Sequence, residues 1–141
     1  AIPNSVTRIG DYAFNNCSSL TSVAIPNSVE YIGKKASSGC KNLETIIVED
    51  GNSVYDSREN CNAIIETETN TLILGCKNTV IPNTVTSIGE SAFFGCSGLT
   101  SVTIGSGVSE INQCAFGDCP SLDATSIAAI EAINPDAFYC E

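Results

Sequence analysis

The sequence predicts a solenoid, a repeat fold in which short coils of 23 residues stack on one another. A recurring phrase at constant spacing and an apolar pattern that follows each copy support this prediction. The phrase Ile-Pro-Asn-Ser-Val begins at Ile2 and Ile25, returns as Ile-Pro-Asn-Thr-Val at Ile81, and weakens to Ile-Gly-Ser-Gly-Val at Ile104. Adjacent copies are 23 residues apart (25 minus 2; 104 minus 81). A fixed period of this length indicates stacked coils rather than one globular core.

Each copy is predicted to hold one strand that ends in a turn. Between Leu20 and Ile25 the apolar residues fall at positions i, i+3 and i+5, and the last two alternate as strand residues do. Proline follows several of these strands and ends pairing because it lacks a backbone donor. The same apolar grid recurs at Leu43/Ile46/Val48, Leu99/Val102/Ile104 and Leu122/Thr125/Ile127.

The segment that returns from one strand to the next is short. Gly10 permits a bend, and Ala13 and Phe14 follow it on a predicted short helical or 3-10 turn. One coil cannot bury its apolar edge, whereas a stack buries a continuous core. Leu, Val and Ile anchors at this period are typical of leucine-rich repeats. We therefore predict an α/β repeat fold over residues 1–141, a right-handed leucine-rich repeat solenoid of about six coils with parallel strands.

The full repeat resembles a known family. Residues 2–20 read Ile-Pro-x-Ser-Val-x-x-Ile-Gly-x-x-Ala-Phe-x-x-Cys-x-x-Leu, which is similar to the BspA-type leucine-rich repeat of surface proteins in anaerobic gut and oral bacteria and some protozoan parasites. The resemblance covers essentially the whole chain, although later copies drift and Asn112 stands where Gly10 does. It implies adhesion to host proteins or other cells, and no catalytic role for the repeat residues.

The period breaks once, over residues 49–80. Ile25 and Ile81 are 56 residues apart, which is two periods plus 10. The stretch 51–76 reads as two apolar arms about a polar turn, which indicates a β-hairpin with Asn70 at positive φ. We expect a hairpin-bearing irregular coil here that replaces an ordinary return within the single domain. Similar hairpin-bearing coils occur in BspA-type proteins.

The second copy also lacks a ring, because Ser37 stands where the first copy has Phe14. A missing core ring leaves a void that costs about 3–5 kcal/mol unless another group fills it. We expect Tyr55 of the irregular coil to lie near this gap. The other rings are expected in one stacked column: Phe14, Phe93, Phe116 and Phe138.

Charge and composition exclude several partners. The net charge is −10, from 16 acidic and 6 basic residues, whereas nucleic acids and anionic membranes are bound by positive surfaces. No apolar run is long enough to span a bilayer, so membrane insertion is not expected. The chain begins at Ala1 with the tail of a strand, without a signal peptide or starting Met, which favours a fragment of a longer secreted or cell-surface protein.

The eight cysteines fall into three groups. One group occupies a single repeat position, so we expect a ladder of reduced, buried thiols at Cys17, Cys40, Cys96 and Cys119. Cys61 and Cys76 bracket the hairpin, where a disulfide and two free thiols both remain open. Cys114 and Cys140 stay unassigned, and no CxxC pair favours zinc.

No catalytic residue, metal site or cofactor is predicted. The chain has no His, so Ser-His and Cys-His nucleophile pairs are excluded. The stretch 50–56 superficially resembles a calcium loop, but Tyr55 stands where such a loop needs Gly, and the final Glu is missing. Exposed acids around the hairpin remain formal candidates for a glycosidase pair, although such residues usually form a solvated face: Glu49, Asp50, Asp56, Glu59, Glu66 and Glu68.

The outward strand positions form the predicted binding surface, which we call the strand face. It is rich in hydroxyl groups, weakly charged and free of aromatic rings, which favours a protein partner over a glycan, although a glycan stays possible. A structural spacer that displays another domain is the alternative to a binding module. The residues of the strand face are Thr21, Ser22, Glu44, Thr45, Ile47, Lys77, Asn78, Val80, Thr100, Ser101 and Thr103.

Overall fold

The computed structural model describes residues 2–140. Most of this chain forms turns that connect short strands, with a single α-helix near the C-terminal end of the described residues. The elements are the strands β1 (Arg8–Ile9), β2 (Ser22–Ile25), β3 (Tyr31–Ile32), β4 (Thr45–Val48), β5 (Tyr55–Asp56), β6 (Ala63–Glu66), β7 (Thr71–Gly75), β8 (Ser87–Ile88) and β9 (Glu110–Ile111), the helix α1 (Ala124–Glu131), and two 3-10 helices at Arg58–Asn60 and Pro135–Phe138.

Strands of neighbouring coils pair in parallel, as the repeat predicts. Arg8 of β1 faces Tyr31 of β3, and Ser87 of β8 faces Glu110 of β9. Both pairings join residues 23 positions apart (31 minus 8; 110 minus 87), which is the repeat period. The strands β2 and β4 pair in the same way and carry part of the strand face. Each of these coils therefore stacks on the coil that lies one repeat earlier in the sequence.

The returns differ from the short helices that the sequence predicts. They are runs of turns, because the return of each regular coil contains two residues at positive φ, which interrupt a helix. The regular coils are coils 1, 2, 4 and 5, which begin at Ile2, Ile25, Ile81 and Ile104, and coil 3 is the irregular coil. One stands before the repeat Ala and the other before the repeat Cys. The first set is Tyr12, Lys35, Ser91 and Cys114, and the second is Asn16, Gly39, Gly95 and Asp118. Residues other than Gly adopt this region at a cost of about 1–2 kcal/mol each, so inter-coil packing holds these returns in place.

The last two predicted strands, at residues 99–104 and 122–127, also differ from the prediction. Residues 99–104 form no strand, and the stretch after Leu122 is the helix α1. Asp123 caps this helix by accepting a hydrogen bond from Ser126 N–H at 2.8 Å. Ser126 in the first turn of this helix is buried. Its hydroxyl accepts a hydrogen bond from Val102 N–H at 2.9 Å, which takes the place of a bond to a neighbouring strand. The N-cap residue favours helix here because it satisfies a free donor of the first turn.

Residues 49–80 contain an antiparallel hairpin made of β6 and β7. Asn70 in its turn has φ of 55°, as predicted. Three consecutive β6 residues, Ala63 to Ile65, are 0% exposed, so this strand is buried on both faces. Ile64 pairs with Leu74, whereas Ile65 pairs with Leu72, which leaves Ile73 as an extra residue in a bulge.

The hairpin separates the core into two clusters. Ile64 and Leu74 pack into the cluster of the first two coils, whereas Ile65 and Leu72 pack into the cluster of the later coils. The bulge at Ile73 makes this division possible, since it switches the face to which successive β7 residues belong. The hairpin therefore contributes buried residues to both core clusters.

The predicted aromatic column holds for three of its four rings. Phe93 and Phe116 stack with centroids 4.8 Å apart, and Phe138 tilts against Phe116 at 6.5 Å. Phe14 packs instead with the first cluster and is only half-buried. Tyr55 belongs to that first cluster too, and its hydroxyl accepts from Ile32 N–H at 3.0 Å.

Gly75 occupies the position that Phe has in the regular coils. In those coils the Phe N–H donates to the Ala carbonyl of the next coil, as in Phe14 to Ala36 at 2.7 Å and Phe93 to Ala115 at 2.7 Å. Gly75 N–H donates in the same way to Ala92 at 2.9 Å. The Phe93 ring lies directly against Gly75, where a Cβ atom would overlap ring carbons.

Replacing Gly75 with alanine is expected to lower the free energy of unfolding by about 1–3 kcal/mol, because the added methyl overpacks the core. Phe93 is 0% exposed and cannot swing into solvent. Urea denaturation of the variant tests this expectation. Gly105→Ala is the matched control, since its Cβ would meet only Asn83 Oδ1 at 3.6 Å. Equal stability changes in both variants would contradict the assignment of Gly75 to the ring position.

On the return side, coil 2 contacts the coil that begins at Ile81 without a return from residues 49–80 between them. Lys34 pairs with Glu90 at 3.3 Å, and the Lys35 ammonium lies 4.4 Å from the centre of the Phe94 ring. A Cβ atom on Gly95 would lie 3.0 Å from the Gly39 nitrogen. At these return residues, no chain from segment 49–80 separates the two coils.

Candidate functional site

Most of the predicted strand-face residues lie open to solvent. Thr45 and Lys77 are half-buried, and the other nine residues of the strand face are exposed. Two of those nine are large apolar residues, Ile47 at 51% and Val80 at 72% exposure. Such exposure is informative because these side chains gain nothing from water, whereas a partner that covers them removes apolar area.

Chain from the irregular segment lies between these two apolar residues. Ser57 accepts a hydrogen bond from Val48 N–H at 2.9 Å, and Val80 N–H donates to Cys61 O at 3.0 Å. The segment from Ser57 to Cys61 therefore takes the place of one strand in the strand face. Ile47 lies on one side of it and Val80 on the other.

Lys77 ties the strand face to the coils on both sides. Its ammonium lies 3.5 Å from Glu44 Oε2, and its aliphatic stem lies against Gly98, where a Cβ atom would be 3.0 Å from Lys77 Cδ. Lys77 thus packs along the surface while its charge is paired. A substitution of Lys77 would alter this packing as well as the surface charge, so Val80 is the cleaner position for a binding test.

A cleft of about 450 Å³ lies beside Ile47, and the sequence did not indicate it. Its wall carries a bidentate pair in which Arg58 Nε and Nη2 each donate to Asp56 at 2.7 Å. Arg58 also donates to Asn70 at 2.7 Å, which fixes the hairpin turn against the loop. Thr67 donates to Asp56 as well, at 2.6 Å. The guanidinium is therefore committed to the fold rather than left free for a ligand.

Partial burial alone would raise the pKa of Asp56. The hydrogen bonds from Arg58 and Thr67 outweigh it and hold this pKa below the usual value of a carboxyl group. The hydrogen bonds to Asp56 likewise raise the pKa of Arg58. Both groups are therefore charged at neutral pH, and Asp56 lacks the proton that a general acid needs.

The acidic residues that the sequence singled out do not all come together. Glu49, Asp50, Asp56 and Glu59 line this cleft, whereas Glu66 and Glu68 do not. Across residues 2–140, no group of three acidic or cysteine side chains is placed to hold a metal ion.

The cysteine ladder is found in part. All four of its thiols are free, but only Cys40 is buried, whereas Cys96 and Cys119 are half-buried. Cys17 is exposed, because the described residues place no coil over the first one. Each later thiol donates to a carbonyl of the coil before it: Cys40 to Phe14 at 2.8 Å, Cys96 to Gly75 at 3.7 Å and Cys119 to Phe93 at 3.1 Å. Burial raises the pKa of Cys96 well above its usual value and that of Cys119 to about 12.

The remaining cysteines resolve the open alternatives. Cys61 and Cys76 are free and buried, so the hairpin carries no disulfide. Cys114 and Cys140 form a disulfide instead, with Cα atoms 4.8 Å apart. Burial raises the pKa of both Cys61 and Cys76, which keeps these thiols protonated and unreactive.

The repeat, its parallel register and the stacked returns agree with one family. The model of the BspA type leucine-rich repeat region, with six copies, matches residues 1–74 and 73–141. The chain belongs to the BspA-type leucine-rich repeat family. Leucine-rich repeats of this family serve generally as protein-interaction modules rather than as catalytic domains. No curated protein matches the chain.

Three solved structures share this fold. A leucine-rich cell surface protein from Faecalibacterium prausnitzii is 34% identical over 86% of this chain, with a TM-score of 0.67. A leucine-rich repeat protein from Eubacterium ventriosum is 25% identical over 86%, with a TM-score of 0.71. The pneumococcal vaccine antigen PcpA, at 21% identity over 84% and a TM-score of 0.68, shows the likeness of fold alone.

This BspA-type chain spans only part of those proteins. It covers 33% of the Faecalibacterium chain, 40% of the Eubacterium chain and 30% of PcpA. No helix within residues 2–140 has the length and apolar character needed to cross a bilayer.

Proposed function

We infer that this chain is a non-enzymatic protein-binding module of a secreted or cell-surface bacterial protein, and that its strand face adheres to a protein partner. The family and the cell-surface relative support this function. We further infer that residues 1–141 are one domain in the right-handed solenoid of a longer protein, with residues 49–80 as its irregular coil.

The exposure of Ile47 and Val80 is the observation that carries the proposal. In β4 the core residues Ile46 and Val48 are 1% and 6% exposed, whereas Ile47 between them is 51% exposed. The other exposed residues of the strand face are polar, including Thr100, Ser101 and Thr103. An apolar centre with a polar rim is the usual composition of a protein interface.

Replacing Val80 with aspartate is expected to weaken binding to a captured partner at least tenfold, because it places a charge at the centre of the interface. Surface plasmon resonance measures the change. The fold should persist, since Val80 is 72% exposed. Tyr12→Asp is the matched control: Tyr12 is also an exposed apolar residue, at 52%, but lies on the return side.

Three results would contradict this proposal. Undiminished binding by the Val80→Asp variant would exclude the strand face, and equal losses in both variants would indicate a nonspecific charge effect. If no partner is captured and the parent protein works with these coils exchanged for others of equal length, the chain is a structural spacer.

A further inference from the structure

A second cleft, of about 270 Å³, lies where the regular stack is interrupted on the side away from the strand face. We call it the Tyr31 cleft. Three parts of the chain meet there: β3 with the turn after it, the hairpin, and the first turn of the coil that begins at Ile81. The lining of the cleft includes Tyr31, Lys34, Glu66, Ile73, Leu74 and Glu90.

The interruption of the sheet creates this cleft. Among the described residues, β3 pairs with β1 on one side and with no strand on the other. Ile32 N–H, which a next strand would satisfy, donates instead to the Tyr55 hydroxyl at 3.0 Å. The Tyr55 side chain therefore takes the place of a neighbouring strand at this edge, and open space remains beside it. The Lys34–Glu90 pair at 3.3 Å lies at the rim of this space.

Tyr31 supplies an aromatic wall. Its side chain is 40% exposed, and the Arg8 guanidinium carbon lies 4.3 Å from the ring centre. Arg8 covers one face of the ring and does not line the cleft, whereas Tyr31 does. The contact with Arg8 holds the ring in one orientation. Ile73 and Leu74 add apolar carbon to the same lining.

The charged groups of the cleft balance one another. Lys34 and Lys35 oppose Glu66 and Glu90, so the lining has no net charge. The ion pair engages Glu90 Oε1, and Thr69 donates to Glu66 Oε1. Each ammonium carries three N–H donors. Donors and acceptors therefore stand side by side, as adjacent hydroxyl groups of a ligand require.

We propose that the Tyr31 cleft binds one ring of an uncharged sugar, with the C–H face of the ring stacked on Tyr31 and its hydroxyl groups hydrogen-bonded to the Lys and Glu side chains. The negative face of an aromatic ring attracts the weakly positive C–H groups of a pyranose. The cleft volume of about 270 Å³ lies just below the usual range of small-molecule sites, which is about 300–1,000 Å³. A volume of this size suits a single sugar ring. This site is separate from the strand face.

Saturation-transfer NMR of the unmodified chain with a panel of methyl hexopyranosides tests the proposal. We expect transfer to the C–H protons of at least one neutral sugar, and at least a tenfold loss of affinity in the Tyr31→Ala variant. Tyr31→Phe keeps the ring and is expected to retain binding within about threefold. Tyr139→Ala, at a residue that is 66% exposed and lies outside the cleft, is the matched control.

Several outcomes would overturn the proposal. These are no transfer to any neutral sugar, transfer that survives Tyr31→Ala, or binding of methyl glucuronide alone, which would mean that the cleft selects charge. The Val80→Asp variant should bind the sugar normally. A loss of protein binding without a loss of sugar binding therefore separates this site from the proposed strand-face function.

Discussion

Replacing Phe93 with alanine is expected to lower the free energy of unfolding by about 3–5 kcal/mol. The ring is 0% exposed, stacks on Phe116 with centroids 4.8 Å apart and an interplanar angle of 7°, and lies against Gly75 on its other side. Truncation would leave a cavity between two elements that are fixed by backbone hydrogen bonds, so collapse around it is limited. Chemical denaturation monitored by circular dichroism measures the loss.

The control for this variant is Ser101→Ala, an exposed change on the strand face that should alter stability by less than about 0.5 kcal/mol. A second comparison is Phe14→Ala. Phe14 is half-buried, so its truncation should cost less than that of Phe93. If Phe14→Ala proves the more damaging change, the division into an open first coil and a packed later column is wrong.

Removing the disulfide between Cys114 and Cys140 is expected to cost about 3–4 kcal/mol, because the bond closes a loop with a sequence separation of 26 and restricts the unfolded chain. The Cys114→Ser/Cys140→Ser variant should therefore unfold at a lower urea concentration than the oxidised chain. A reducing agent should shift the unmodified chain by a similar amount and leave the variant unchanged.

Cys17→Ser is the control for the loss of a thiol, since Cys17 is exposed and forms no disulfide. If the double variant and the oxidised chain unfold at the same denaturant concentration, the last coil is stabilised by packing alone. The buried residues Ile130 and Ala137 would then account for its stability.

The repeat period was sufficient to predict the regular part of the fold. Parallel pairing at an offset of 23, the stacked rings and the thiol ladder all follow from residues that recur at one spacing. The strand-face positions were also predictable, because alternation along a strand decides which side chains point outward. Ile47 of β4 is exposed for this reason, whereas Val80 is exposed although it lies outside the strands.

The departures from the repeat were harder to predict, because long-range contacts decide them. Positive φ at Tyr12 and Lys35 has no local sequence signal, since neither residue favours that region. The helix α1 replaces a strand where Asp123 supplies a cap. The Cys114–Cys140 bond joins positions outside the repeat ladder, so spacing alone could not pair them. Both clefts arise from the irregular segment and were not visible in the sequence.

Segment 49–80 adds unequal amounts of chain around the stack of coils, which bears on the direction in which the later coils continue. Segment 49–80 separates neighbouring coils at the strand face, whereas on the opposite side Lys34 already meets Glu90 and Gly39 already meets Gly95. We expect a wedge of this kind to tilt the coils that follow it relative to those that precede it. In a longer protein, the place of this hairpin along the chain would then decide where the stack of coils bends and towards which side.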